Sequence, residues 1–250
     1  MSILLGNCNS NIDNCYVNCN SKQIVIQDIN NAFVTLGIHV IQVNINLDEV
    51  IWMRDLYVPI DNIYLKCNLT KNSTMNTDRS IEFDYIKKYL NSEKKIIEIS
   101  SNILFEGGDI IQEGNYIFVG ISSRTNIQIV PILQELFPKK NIIAIHHKAL
   151  HLDCCFSILD NTLIFYDSKY IDKLSLPNKF KIFDISLIAD SGKYMATNFV
   201  QVGNTLIMSK IKKNATFRKI LRDIGYKIIL INTQNIWKEG GSIRCLTQWL

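Results

Sequence analysis

The strongest constraint on this chain is a repeat. Five polar residues, Asp55, Asp109, Asp153, Asn198 and Cys245, each head a similar stretch, and they follow one another at intervals of 54, 44, 45 and 47 residues. The stretches read "RDLYVPIDNIYLKC", "GGDIIQEGNYIFVG", "LDCCFSILDNTLIFY", "TNFVQVGNTLIMS" and "IRCLTQWL". Four of them hold two apolar arms about a turn, Asp61-Asn62, Gly114-Asn115, Asp160-Asn161 or Gly203-Asn204, and these residue types tolerate the positive φ of tight hairpins. Helix-like segments follow at 80–90, 126–137 and 215–226, and each leads to an apolar run, "KKIIEIS", "NIIAIHH" or "KIILIN". The unit is therefore a polar head, a hairpin, a helix and a further strand.

Units of this size cannot bury an apolar face alone and must pack around a shared centre, as propeller blades do. The expected fold is a five-bladed α/β propeller of ββαβ-like repeats about a pseudo-fivefold axis, with residues 1–250 forming one catalytic domain. The fifth unit lacks its second strand, and "MSILLG" at the N-terminus is the candidate to supply it. That pairing accounts for an otherwise odd ending, "KEGGSIRCLTQW", which reads as a strand pinned into a blade.

Composition sets the surroundings. The 250 residues are 47% hydrophobic, ample for a large core. The net charge of +4 comes from 27 basic and 23 acidic residues scattered along the chain, which argues against a nucleic-acid partner. No signal peptide or membrane-length apolar run is visible, so a cytoplasmic protein without a membrane partner is expected. Seven cysteines then read as free thiols. Cys8, Cys15 and Cys19 have poor spacing for zinc and no nearby histidine, so no metal is expected. The Asn-rich segment "GNCNSNIDNCYVNCNSKQ" reads either as a lid over a pocket or as a loop.

If the five heads face one axis, three carboxylates, an amide and a thiol meet in one cavity. A single such aspartate is commonly a turn or cap residue; five in register mark a site, because clustered like charges cost stability.

The motifs "WMRD" (52–55), "FEGGD" (105–109), "VGISSRTN" (119–126), "LHLD" (150–153) and "GGSIRCLT" (240–247) carry a resemblance. Their ordered set resembles the guanidine-modifying enzyme superfamily of arginine deiminases, dimethylarginine dimethylaminohydrolases, agmatine deiminases and amidinotransferases, all built on the five-bladed pentein propeller. The resemblance implies a small-molecule guanidino substrate and no cofactor, and leaves a homodimer open. Asp55 and Asp153 match the aspartates that grip the guanidinium, a role suited to bidentate carboxylates. Cys245 matches the nucleophile, and a thiolate is the strongest nucleophile available to such a site. Cys67, Cys154 and Cys155 read as small buried residues.

His151 precedes Asp153 by two residues, which on an extended strand would point both the same way. It is the expected acid and then base. By the resemblance Glu106 orients His151 and Arg124 clamps the substrate's α-carboxylate. Asp109 reads as a second substrate contact or an Asx-type cap on the Gly107-Gly108 turn. His39, His146 and His147 read as structural, and Arg54 and Arg244 as weaker anion-binding candidates.

The compact length and "VGISSRTN" look like the methylarginine hydrolases, whereas "HLD" and "EGGSIRC" look more like the deiminase and amidinotransferase branches. The expected activity is hydrolysis of arginine or an N-methylated arginine to citrulline through a cysteine-bound thiouronium. Transfer of the amidino group to an amine, or a non-catalytic binding propeller, are the alternatives.

Overall fold

The computed structural model describes residues 1–7, 19–44, 52–69, 79–172, 175–237 and 240–250. Cys8, Cys15 and most of the Asn-rich segment lie outside them.

In chain order the elements are β1 (Ser2–Asn7), α1 (Cys19–Thr35) and β2 (His39–Asn44), then α2 (Met53–Leu56), β3 (Tyr57–Ile60), β4 (Ile63–Lys66), α3 (Glu82–Lys87) and β5 (Lys95–Glu98). A 3-10 turn at Gly107–Asp109 leads to β6 (Ile110–Glu113), β7 (Tyr116–Ile121), α4 (Ile129–Leu136) and β8 (Asn141–His146). Next come α5 (Leu152–Cys155), β9 (Phe156–Leu159), β10 (Leu163–Tyr166) and β11 (Lys181–Asp184). The chain continues through α6 (Ser191–Tyr194), β12 (Val200–Val202), β13 (Thr205–Ser209), α7 (Ala215–Asp223), β14 (Lys227–Ile231), α8 (Gln234–Trp237) and β15 (Thr247–Trp249).

These strands form five sheets of three strands each, β3-β4-β5, β6-β7-β8, β9-β10-β11, β12-β13-β14 and β15-β1-β2. The pattern is the same in all five: the middle strand is antiparallel to the strand entering from a head and parallel to the third. The fifth sheet is made from both ends of the sequence, with Ile3 opposite Trp249 and Leu5 opposite Thr247. This is the expected five-bladed α/β propeller, and the N-terminal strand does complete the last blade.

The strands read as continuous apolar runs because both of their faces are buried. Side chains alternate between two neighbouring cores. Ile3 and Leu5 pack with Val200 and Ile207 of the fourth blade, whereas Leu4 packs with Tyr57 and Tyr64 of the first. Ile117 and Val119 face Val58 and Leu65, whereas Phe118 faces Phe156 and Ile164. Phe165 and Leu206 meet in the remaining core. Five cores thus sit between five pairs of adjacent blades and close the ring. Positive φ at Asp61, Gly114, Asp160, Asn161 and Gly203 turns the hairpins as their residue types require.

Three expectations need correction. The heads are not strand residues: Asp55, Asp109 and Asp153 occupy single helical turns, and Cys245 lies in a turn before β15. A period-2 reading fails there because a turn of three or four residues is too short to show its own period. The third unit crosses from β10 to β11 without an α-helix among the described residues. Finally, α1 starts inside the Asn-rich segment, and its Val25, Ile26, Ile29 and Phe33 follow helical spacing into the core.

Leu4 is fully buried between two blades in the strand that completes the ring. Leu4→Ala is expected to cost about 3 kcal/mol, the usual range for a buried leucine, read as a lower midpoint in urea unfolding.

Candidate active site

The site begins with the backbone of the five heads. Each starts with a tight turn, seen in Asp55 N to Trp52 O (3.2 Å), Asp109 N to Glu106 O (3.0 Å), Cys154 N to His151 O (3.1 Å) and Asn198 N to Met195 O (3.2 Å). The turns are then stitched to one another around the axis. Arg54 N donates to Cys245 O, Arg244 N to Asn198 Oδ1, Thr197 Oγ1 to Asp153 O, Leu152 N to Asp109 Oδ1, and Arg54 Nη2 to Ile110 O. Every head is therefore fixed by its neighbours rather than by its own blade alone.

Glycines in "FEGGD" allow this close approach. A Cβ on Gly107 would lie 2.0 Å from Arg54 O, and one on Gly108 would lie 2.6 Å from the His151 ring. Gly241 has the same role against the Trp52 indole, which its Cβ would meet at 2.0 Å.

Two clusters result. In the first, His151 Nε2 meets Glu106 Oε2 at 2.6 Å, and His151 Nδ1 lies 3.8 Å from Asp55 Oδ1. All three residues are buried. Burial alone would lower the His151 pKa, but Asp55, the Glu106 hydrogen bond and Asp109 outweigh it and push it up to about 10. The resting imidazole is thus a cation. Burial pushes the Asp55 carboxyl up, against the pull of His151 and Arg79.

Arg79 was not singled out by its sequence. It is buried, forks onto Glu82 at 2.8 and 3.0 Å, and reaches Asp55 Oδ2 at 3.3 Å. The available signal was its i,i+3 spacing to Glu82 at a helix start. Arg124, about 30% exposed, donates to Glu106 Oε2 at 2.8 Å, so that one oxygen serves both His151 and Arg124. Ligand atoms of Asp55, Glu106 and His151 lie within 4.8 Å of one another, a spacing that could take a cation. Here that region already receives positive charge from Arg79 and Arg124.

The second cluster surrounds the thiol. Asn198 Nδ2 lies 3.3 Å from both Cys245 Sγ and Asp153 Oδ1. Cys154 Sγ approaches Asp153 Oδ1 at 3.6 Å. A hydrogen bond with Cys245, then burial, pushes the Cys154 thiol far above its ordinary range, so it stays a donor. Asn198 was recognised only as a head, and Cys154 read as a small buried residue beside one; its place on α5 brings it to Cys245. Arg54 Nε and Arg244 Nε stand 3.7 and 3.8 Å from Asp153 Oδ2.

Asp109 is committed within the fold. Its oxygens accept from His147 Nε2 (2.9 Å), Leu152 N (2.7 Å) and Thr125 Oγ1 (2.7 Å). Asp109 was expected as a second substrate contact or as a cap on the Gly107-Gly108 turn; its three internal donors tie it to the turn that carries His151. His147 is structural in this sense. His151 and Asp153 are not aligned by strand alternation, since His151 is the extended residue just before α5 and Asp153 lies within it.

The arginine deiminase family model matches residues 81–208. The chain belongs to the arginine deiminase family. Among its relatives, the uncharacterized protein YkgA of Bacillus subtilis (strain 168) is 29% identical over 204 residues, covering 80% of this chain and 69% of YkgA. The N(G),N(G)-dimethylarginine dimethylaminohydrolase of Pseudomonas aeruginosa is 27% identical, over 61% of this chain and 59% of that enzyme. Among solved structures, the N-terminal domain of ArgZ, a cyanobacterial arginine dihydrolase, superposes with a TM-score of 0.80 at 16% identity, covering 99% and 97% of the two chains. A dimethylarginine dimethylaminohydrolase adduct gives 0.78 at 20% identity, covering 98% of both. These structures share the pentein fold with this chain.

Because the His151 pKa is raised from 6.5 to about 10, its stabilising contribution is complete below about pH 6.5 and is lost as pH rises through about 10. Urea unfolding stability should therefore decline from neutral to alkaline pH, and Glu106→Gln should flatten that decline. Gly108→Ala is expected to displace the imidazole and lower its titration midpoint, measured by NMR of ring-labelled histidine.

Proposed function

We propose that the protein is a cysteine-dependent hydrolase of the guanidino group of arginine or an N-methylated arginine, giving citrulline and ammonia or a methylamine. The observation that carries this reading is the meeting of Asp153, Asn198 and Cys245, the heads of three different units, in one hydrogen-bonded set. Packing alone has no need to bury a carboxylate beside a thiol.

In this mechanism the guanidinium is held by Asp55 and Asp153, whose carboxylates match its fork. Arg79 already occupies one oxygen of Asp55, so the substrate competes with an internal guanidinium for the same partner. Asn198 and Cys154 supply two donors to the Cys245 sulfur. The thiolate attacks the central carbon, and the His151 imidazolium gives its proton to the departing amine. His151, now neutral, takes a proton from water as the water adds to the thiouronium carbon. Collapse of that adduct releases the thiolate as the hydroxyl proton passes to solvent, leaving the ureido oxygen of citrulline.

Glu106 keeps the imidazole in place and cationic for the first proton transfer. Arg124, partly exposed beside Glu106, is the proposed partner of the substrate's α-carboxylate. We further propose that the chain is one catalytic unit acting in the cytoplasm without a cofactor. The free Cys67, Cys154, Cys155 and Cys245 fit a reducing compartment.

Purified protein incubated with L-arginine, asymmetric dimethylarginine or agmatine, with and without glycine, should give citrulline from a carboxylate-bearing guanidine with no need of glycine. L-Arginine should be preferred, since N-methyl groups would leave Asp153 partly unpaired. Product that forms only with glycine would instead establish amidino transfer. Cys245→Ser is expected to reduce turnover by roughly three orders of magnitude or more while leaving the unfolding midpoint near wild type. His151→Ala should change the amount of covalent adduct seen by intact-protein mass spectrometry after a quench.

A further inference from the structure

A cavity of about 670 Å³ lies apart from the candidate active site. It is a funnel on the propeller axis, lined by residues of β3, β6, β9, β12 and β15, the strand that follows the head in each blade. Cys245, His151, Glu106, Asp55 and Asp153 do not line it. The proposed chemistry lies with these five, and the cavity adjoins them at Arg54 and Arg244, which stand beside Asp153.

The two spaces are separated by a pair of arginines. Arg54 and Arg244 both line the funnel, and both bring Nε to within 3.8 Å of Asp153 Oδ2. Arg54 is held by Gln248 Oε1 and Ile110 O through its two terminal nitrogens. Arg244 differs: among the described residues its guanidinium makes no hydrogen bond, and its side chain is 20% exposed. On the wall stands Glu113, with one oxygen accepting from Asn161 N at 3.2 Å. Burial pushes its carboxyl up, only partly offset by the Asn161 amide and the charge of Arg244. Asp160 also lines the funnel, but Tyr226 Oη and Gln201 Nε2 already engage its two oxygens. Val58, Ile158, Phe199 and Val200 form an apolar stretch of a wall that is otherwise polar through Gln112, Gln201 and Gln248.

We propose that this axial funnel is a second small-molecule site, and that its ligand is a zwitterionic amino acid with its carboxylate on Arg244 and its ammonium on Glu113. A simple anion would meet Glu113 and Asp160 as well as the arginines, and a simple cation would meet Arg54 and Arg244. A dipolar ligand satisfies both ends, and an aliphatic side chain fits the apolar stretch. A carboxylate on Arg244 also draws positive charge away from Asp153, which strengthens that aspartate's hold on a guanidinium. This coupling rests on the proposed role of Asp153 in binding substrate; the site itself does not. By linkage, a substrate that relieves Asp153 tightens the funnel ligand in turn.

Calorimetric titration of the whole protein with L-leucine, which carries no guanidine, tests the site. Saturable binding of one leucine per chain is expected, with acetate and butylamine each at least about tenfold weaker, since each satisfies one charged partner and not the other. Glu113→Gln should weaken leucine binding about tenfold with basal turnover unchanged, and Arg244→Gln should abolish it, with thermal unfolding confirming that both variants fold. Absence of leucine binding, equal binding of acetate, or full binding by both variants would overturn the site. At a leucine concentration near its wild-type Kd, the KM for L-arginine should also fall in wild type and far less in Glu113→Gln. Binding with an unchanged KM would overturn the coupling through Asp153. Failure to turn over any guanidine would count against the proposed activity alone, because the titration reads binding directly.

Discussion

Four carboxylates buried at one end of the axis are the constraint to which the rest of the structure answers. Asp55, Glu106, Asp109 and Asp153 are at most 6% exposed, and isolated carboxylates at such depth would be strongly disfavoured. Each is met by a different set of partners: Arg79 and His151, then His151 and Arg124, then His147, Thr125 and the Leu152 amide, then Asn198 beside Arg54 and Arg244. These partners come from all five units, so the charges can be balanced only when every blade is in place. The five apolar cores hold the blades, and the axial polar network specifies how they meet.

The same network explains why similar positions do different chemistry. Asp109 and Asp153 are equivalent heads with equal burial, yet Asp109 is saturated by three internal donors while Asp153 Oδ2 makes no hydrogen bond. Asp55 likewise keeps one oxygen without a hydrogen bond. The repeat supplies the polar positions; the local donors divide them into clamps and free groups.

That division also marks how far the sequence could be read. Hairpin turns such as Asp160-Asn161, the period of the heads and the pairing of "MSILLG" with the last unit were legible, because turn chemistry and apolar patterning are local or periodic. The head conformation was not, since one turn around Asp153 or Cys154 is shorter than the period that would reveal it. Arg79 lies outside every unit's head and is brought to Asp55 by tertiary folding alone. The saturation of Asp109 depends on His147 and Thr125, residues distant in sequence whose meeting has no pattern in the chain. The helix α1 could have been found from Val25, Ile26, Ile29 and Phe33, had the polar Asn-rich run before it not drawn the reading toward a loop.

The pairing of β15 with β1 has a kinetic side. It joins strands separated by nearly the whole chain, so its formation closes the largest loop in the molecule, and contacts of such separation form late in folding and slowly. Cys245 lies immediately before β15, and the backbone bond from Arg54 to Cys245 is among those that form with that closure. The neighbours of the thiol thus come from units that are far apart in sequence, Asn198 from the fourth and Arg54 from the first. Until that strand pairs, Cys245 lacks the Arg54 amide that its carbonyl accepts from, so its surroundings depend on completion of the ring.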